Sequence, residues 1–223
     1  MVSKKLCKIN YKDVFHSYLI RNATFSSDME IPRIKSCREI PNKLILFSEA
    51  LKTKDYDQWV MFYEHDYRFT RIWNKPYVYL KVLKKFNGVI SPDFSLYRNM
   101  PLAMQLWSTF QGKALATWWQ YNGIQVIPNV RFADKRSYAF CFAGIKKNST
   151  IAIGTHGCIK KQVDRKYFID GLKRAVEVLS PKNIIVYGAA PESIFKQYKD
   201  IGINIIHFSP SFYTSLQEKK VLY

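Results

Sequence analysis

The feature that most constrains this chain is the stretch 88–132. A short apolar run there ends on Ser91-Pro92-Asp93, a long amphipathic segment follows, and a second apolar run ends on Pro128-Asn129-Val130-Arg131. A short branched run bounded by turn residues reads as a strand buried on both faces, and the segment between the two runs has the helical period. The stretch is therefore one β-α-β unit. Strands joined through a helix run parallel, because the crossover returns the chain to the same end of the sheet.

The rest of the chain repeats this rhythm. Lys43 to Phe47 reads as a strand that ends on Ser48-Glu49. Asp55 is placed to cap a helix containing Trp59, Val60, Phe62 and Tyr63, although these apolar residues are crowded for a single stripe. Pro76 interrupts that pattern, and a second helix is expected over Tyr77 to Phe86. Beyond the short Val89-Ile90 strand, a helix is expected over Met100 to Tyr121, with Trp118-Trp119 covering the sheet. Strands follow at 124–127, 150–153, 184–187 and 203–206, separated by a short helix at 137–142 and longer ones at 164–179 and 192–200. The expected fold is α/β, a largely parallel sheet of about six strands alternating with helices, either incomplete (β/α) barrel-like or doubly wound. Residues 1–42 show no period and read as an irregular N-terminal extension packed on a single α/β domain spanning 43–223.

Charge narrows the partners. The 223 residues carry 35 Lys and Arg against 17 Asp and Glu, a formal net charge of +18. The excess is spread over the chain, with no basic tail or arginine-rich arm, so a polyanion would meet a folded surface. Nucleic acid is the expected partner, and an acidic partner protein is the alternative. The cysteines Cys7, Cys37, Cys141 and Cys158 lack C-x-x-C spacing and read as free structural thiols of a reducing compartment. No apolar run approaches the length of a membrane span, so a soluble, cytoplasmic protein with no membrane partner is expected.

Function in parallel α/β folds gathers at the carboxyl ends of the strands. Those ends bring forward Glu49, Asp93, Asp134 and His156 as candidate catalytic residues, with Ser91, Asn129, Arg131, Thr155 and His207 as candidate binding residues. Asp93 is expected at the mouth of the site. Glu49, Asp93 and Asp134 are hard oxygen ligands suited to Mg²⁺ or Mn²⁺, and a histidine past a strand end suits a general base or a phosphate contact. His156, flanked by Gly154 and Gly157, has more backbone freedom than His207. The chain lacks a Walker loop, a G-x-G-x-x-G after a strand, H-E-x-x-H and G-x-S-x-G, which removes the commonest nucleotide, zinc-protease and serine-hydrolase chemistries. Three readings remain: nucleic-acid binding through a basic folded surface, a metal-dependent phosphodiesterase or nuclease, and a non-catalytic antagonist or adaptor that binds an acidic partner protein.

The stretches SPDFSLYRNMPLAMQLWSTFQGKALATWWQYNGIQVIPNVRF, FCFAGIKKNSTIAIGTHG and IIVYGAAP resemble the pattern of the domain-of-unknown-function family numbered forty-four-seventeen, found in bacteria, phages and integrating elements. The resemblance spans about Lys43 to Phe208 and leaves the amino-terminal extension uncovered. It implies a phage or mobile-element origin, under which the third reading becomes a phage-encoded antagonist or adaptor binding an acidic host protein, and it carries over no catalytic residue.

Overall fold

The computed structural model describes residues 13–210. After a small antiparallel pair, β1 (Phe25–Ser26) and β2 (Ile31–Pro32), the chain enters a parallel sheet through β3 (Leu44–Leu46), β4 (Trp59–Met61), β5 (Gly88–Ile90) and β6 (Val126–Ile127). A second parallel group follows: β7 (Thr150–Gly154), β8 (Asn183–Tyr187) and β9 (Asn204–Phe208). The two groups are stitched together just past β6, where the Val130 amide donates to the Ala152 carbonyl at 2.8 Å and the Ala152 amide donates to the Pro128 carbonyl at 2.9 Å. β3 to β9 thus lie side by side in chain order. A doubly wound sheet reverses its order at a switch point, and this one does not.

The sheet is also curled. Tyr63, two residues past β4, stacks on Tyr187 at the end of β8 with ring centroids 5.3 Å apart. In a flat sheet, strands four places apart would be separated by about 19 Å, more than two tyrosine side chains can span. Among the described residues β3 and β9 do not pair, so the structure is an open, incomplete (β/α) barrel.

Side chains alternate along the strands and divide the apolar residues between two faces. Trp59, Met61, Ile90, Ile127, Ala152, Ile185 and Tyr187 fill the concave interior. Their neighbours point outward. Val60, Val89 and Val126 pack under the helices of the first half, whereas Ile151, Ile153, Ile184 and Val186 pack under those of the second. The outer helices include α1 (Phe47–Ala50), α2 (Asp66–Phe69), α3 (Arg71–Asn74), α4 (Pro76–Leu83) and α5 (Leu102–Tyr121), followed by α6 (Tyr138–Cys141), α7 (Gln162–Leu179) and α8 (Glu192–Asp200). Trp118 and Trp119 on α5 are buried against the sheet, and the fully buried Trp119 stacks on Phe62 at 5.7 Å.

One expectation fails here. Asp55 caps no helix; it accepts from the Asp57 amide in a turn, and Trp59–Met61 is a strand buried on both faces. The crowding of Trp59, Val60, Phe62 and Tyr63, too dense for one helical stripe, is the signature of such a strand. Pro76 then sits in the first turn of α4, where its missing amide costs no hydrogen bond.

The stretch before β3 is tied to the domain. The Ile34 amide donates to the Gly144 carbonyl at 2.8 Å, and Ile31, Ile34 and Cys37 are buried. Gly144 has a φ of 76°, and a Cβ there would meet the Pro32 carbonyl. Cys37, Cys141 and Cys158 are free thiols, whereas Cys7 lies outside the described residues. No helix among the described residues is long and apolar enough to cross a membrane.

A lysine is buried in the outer layer. Lys113 of α5 donates from Nζ to the Cys141 carbonyl at 2.9 Å and to the Ala143 carbonyl, satisfying groups at the end of α6. Burial pulls its ammonium down to about 7 from an ordinary 10.5. Above about pH 7 the unfolded chain holds a proton that the folded chain has released, so stability rises with pH. Cys141 opposes this above pH 9, because burial holds its thiol up to about 12 and the unfolded chain there loses a proton the folded one keeps. Denaturant unfolding between pH 7 and 8.5 is therefore expected to show a gain of about 1.5 kcal/mol. Lys113→Met should flatten that slope, and an unchanged slope in the variant would place its origin elsewhere.

Candidate functional site

The carboxyl ends of the strands open into a cleft of about 1570 Å³, walled by the segments that follow β4, β5, β6 and β7 and by the first turns of α7. Its floor is a hydrogen-bonded chain. The Tyr63 hydroxyl donates to Asn129 Oδ1 at 2.9 Å, and Asn129 Nδ2 donates to Asp93 Oδ1 at 2.7 Å. Arg131 NH1 faces Asp93 Oδ2 at 3.5 Å, and the Asn129 amide donates to Ser91 Oγ at 2.7 Å. Ser91 and Asp93, past β5, are thereby paired with Asn129 and Arg131, past β6, as burial requires. Gly154 makes room for Tyr63: a Cβ at residue 154 would lie 2.7 Å from the tyrosine ring.

Burial pushes the Asp93 carboxyl above the usual carboxylate range, opposed by the Arg131 charge and the Asn129 hydrogen bond. The same carboxylate drives Arg131 further above its ordinary value. Asp93 is consequently on the floor, with its side chain 12% exposed, and not at the mouth where it was expected.

The residues expected from the strand ends divide into separate groups. Asp93, Arg131, Asp134 and His156 line the cleft, and Asn129 and Ser91 are buried directly beneath it. Asp134 caps a turn: it accepts from the Arg136 amide and ion-pairs with the Arg136 guanidinium at 2.8 Å, and those hydrogen bonds hold its carboxyl below the usual range. His156 is exposed in the cleft wall, its imidazole without a hydrogen-bond partner among the described residues. Thr155 is buried and donates to the Ala189 carbonyl at 2.8 Å, which makes it part of the scaffold. His207 reaches the Gly188 carbonyl at 2.6 Å, away from the cleft lining. Glu49 lies on the exposed face of α1, also outside the lining.

Glu49, Asp93 and Asp134 are thus not assembled into a metal-binding set. Among the described residues no group of three or more His, Cys, Asp or Glu side chains is placed to hold a metal ion.

One wall was missed altogether. Glu64, His65, Asp66, Tyr67 and Arg68 follow Tyr63 and line the cleft. Asp66 accepts from the Ser95 hydroxyl at 2.9 Å and from its amide at 3.1 Å, joining this wall to the segment past β5. Opposite, Arg98 ion-pairs with Asp164 at 2.6 Å and lies 4.3 Å over the Tyr167 ring. The signal was present in the sequence: with Trp59–Met61 read as a strand, Tyr63 to Asp66 becomes its polar carboxyl end.

Asn129 joins Tyr63 to Asp93, and Asn129→Ala leaves a buried hydroxyl and a buried carboxylate oxygen each short of a partner. The expected cost is about 2–4 kcal/mol of stability, read by thermal or denaturant unfolding. A loss below about 0.5 kcal/mol would show that the floor network bears no weight.

A family model described as a domain of unknown function (DUF4417) matches residues 23–209. The match begins within the stretch expected to lie outside the family, which agrees with the burial of Ile31 and Ile34 in the domain. The "Gene 1 protein" of Mycobacterium phage L5 is 34% identical over 167 residues, which cover 73% of this chain and 72% of that protein. The "Gene 1 protein" of Mycobacterium phage D29 is 30% identical over 167 residues, covering 73% of this chain and 62% of that protein. No solved structure matches. By the extent of the family match and by these phage relatives, the chain belongs to the DUF4417 family.

Proposed function

We propose that this protein binds single-stranded nucleic acid across the mouth of the cleft. The observation that carries the reading is the make-up of that mouth. Tyr67, Tyr97 and Tyr167 line it at 71%, 55% and 38% exposure, an unusual outlay of aromatic surface to leave in water. Arginines accompany them: Arg68 lies over Tyr67 and Arg98 over Tyr167. Interleaved aromatic and basic side chains serve single strands because each base offers a face for stacking and each nucleotide a phosphate for charge.

The surroundings favour the approach of a polyanion. The formal net charge is +18, and the exposed Lys135, Arg136 and Lys166 line a recess that adjoins the mouth and shares Asp134 and Tyr167 with it. Such a surface raises the local concentration of nucleic acid irrespective of sequence. The reading is one of binding: the carboxylates past the strand ends are committed to Asn129, Arg131, Arg136 and Ser95.

The test is fluorescence anisotropy with a labelled single-stranded 12-mer and with a duplex of the same sequence. Single-strand affinity is expected to exceed duplex affinity and to fall roughly a hundredfold between 50 and 200 mM salt if about six phosphates are neutralised. Absence of single-strand binding at 50 mM salt would overturn the reading.

A further inference from the structure

Although the protein as a whole is strongly basic, the interior of its cleft is not. The lining holds five carboxylates, Glu64, Asp66, Asp93, Asp134 and Asp164, against three guanidinium groups. Two of those guanidinium groups are already paired: Arg131 faces Asp93 at 3.5 Å and Arg98 faces Asp164 at 2.6 Å. The third, Arg68, donates to the Tyr67 hydroxyl at the exposed rim. Glu64 and Asp66 have no cation within ion-pairing distance. A phosphate brings only acceptors and negative charge, so this interior repels it.

The aromatic residues differ in the same informative way. The Tyr67 ring is stacked on His65 and carries Arg68, and the Tyr167 ring carries Arg98. Tyr97 lines the same cleft, more than half exposed, with neither a ring nor a cation upon it, and it is close enough to Arg131 to interact electrostatically with the guanidinium. A ligand that suits this interior is therefore planar, uncharged and supplied with N–H donors for carboxylates as well as acceptors for a guanidinium. A nucleobase has all of these properties.

From this geometry we propose that the cleft takes an unstacked nucleobase, seated against Tyr97 above the Asp93–Arg131 pair, while the sugar-phosphate chain stays outside on the basic rim. The proposal rests on the single-strand reading above and adds what enters the cleft. A cationic side chain of a partner protein is the competing occupant of an acidic cleft. It is disfavoured by the exposed Lys135, Arg136 and Lys166 of the recess adjoining the entrance and by the arginines already lying on two of the tyrosine faces.

The experiment compares three probes on the full chain at 50 mM salt: a mixed-sequence single-stranded 12-mer, an abasic 12-mer of equal charge, and a lysine-rich peptide. The base-bearing strand is expected to bind at least tenfold tighter than the abasic one. Tyr97→Ala, at an exposed position, should remove most of that difference by weakening the base-bearing strand far more than the abasic one. Equal affinity of the parent protein for both strands, a measurement that needs no variant, would overturn the proposal and leave single-strand binding standing. So would a Tyr97→Ala effect that weakens both strands alike, or tighter binding of the lysine-rich peptide than of either strand. Failure of both strands to bind would instead remove the single-strand reading itself, and this inference with it.

Discussion

The contact between Tyr63 and Tyr187 depends on residue 154 having no side chain, and the shape of the strand ends depends on that contact. With a glycine there, one tyrosine crosses the concave face from β4 and stacks on the end of β8. The tyrosine's hydroxyl is then delivered to Asn129, which is why the segment past β6 can hold Asp93 in place. Close packing on one side of the ring and a hydrogen bond on its edge thus link the curl of the sheet to the floor of the cleft. Such a coupling is stiff, because a packed ring moves only if its neighbours move with it.

Charge is distributed unevenly. Lysines are exposed on the outer helices, whereas the cleft past the strand ends is lined by Glu64, Asp66, Asp93, Asp134 and Asp164 and by no lysine. The result is a basic body around an acidic cleft. Net charge alone describes the outside of the molecule, and for a ligand that enters the cleft it has the wrong sign.

The period of the sequence made the architecture legible, since continuous apolar runs alternating with helical patterns leave few alternatives to a parallel sheet. Strand order was not legible, because it is decided by the curvature that Gly154 and Tyr63 allow, a contact between residues ninety or so positions apart. The strand ends brought forward Asp93, Asn129 and Arg131, which bond one another, but they ranked Glu49, Thr155 and His207, which lie outside the cleft lining, alongside them. Polar residues after strands also cap turns and satisfy backbone carbonyls, and spacing does not separate those tasks. The missing wall has a single cause. Reading Trp59 to Tyr63 as helix hid one strand, and with it Glu64, Asp66 and Arg68.

The division of the outer apolar layer follows the order of synthesis. The cluster built on Val60, Val89 and Val126 draws only on residues up to Val126, whereas the cluster built on Ile151 and Ile184 takes just Ile31 and Leu96 from the earlier part of the chain among its fully buried members. A chain emerging from the ribosome can therefore bury its first outer layer before β7 exists. The concave interior must wait, since Ile185 and Tyr187 belong to it. Until they arrive, Trp59, Met61 and Tyr63 present an uncovered aromatic face, and a truncated or stalled chain would carry that face as its point of aggregation.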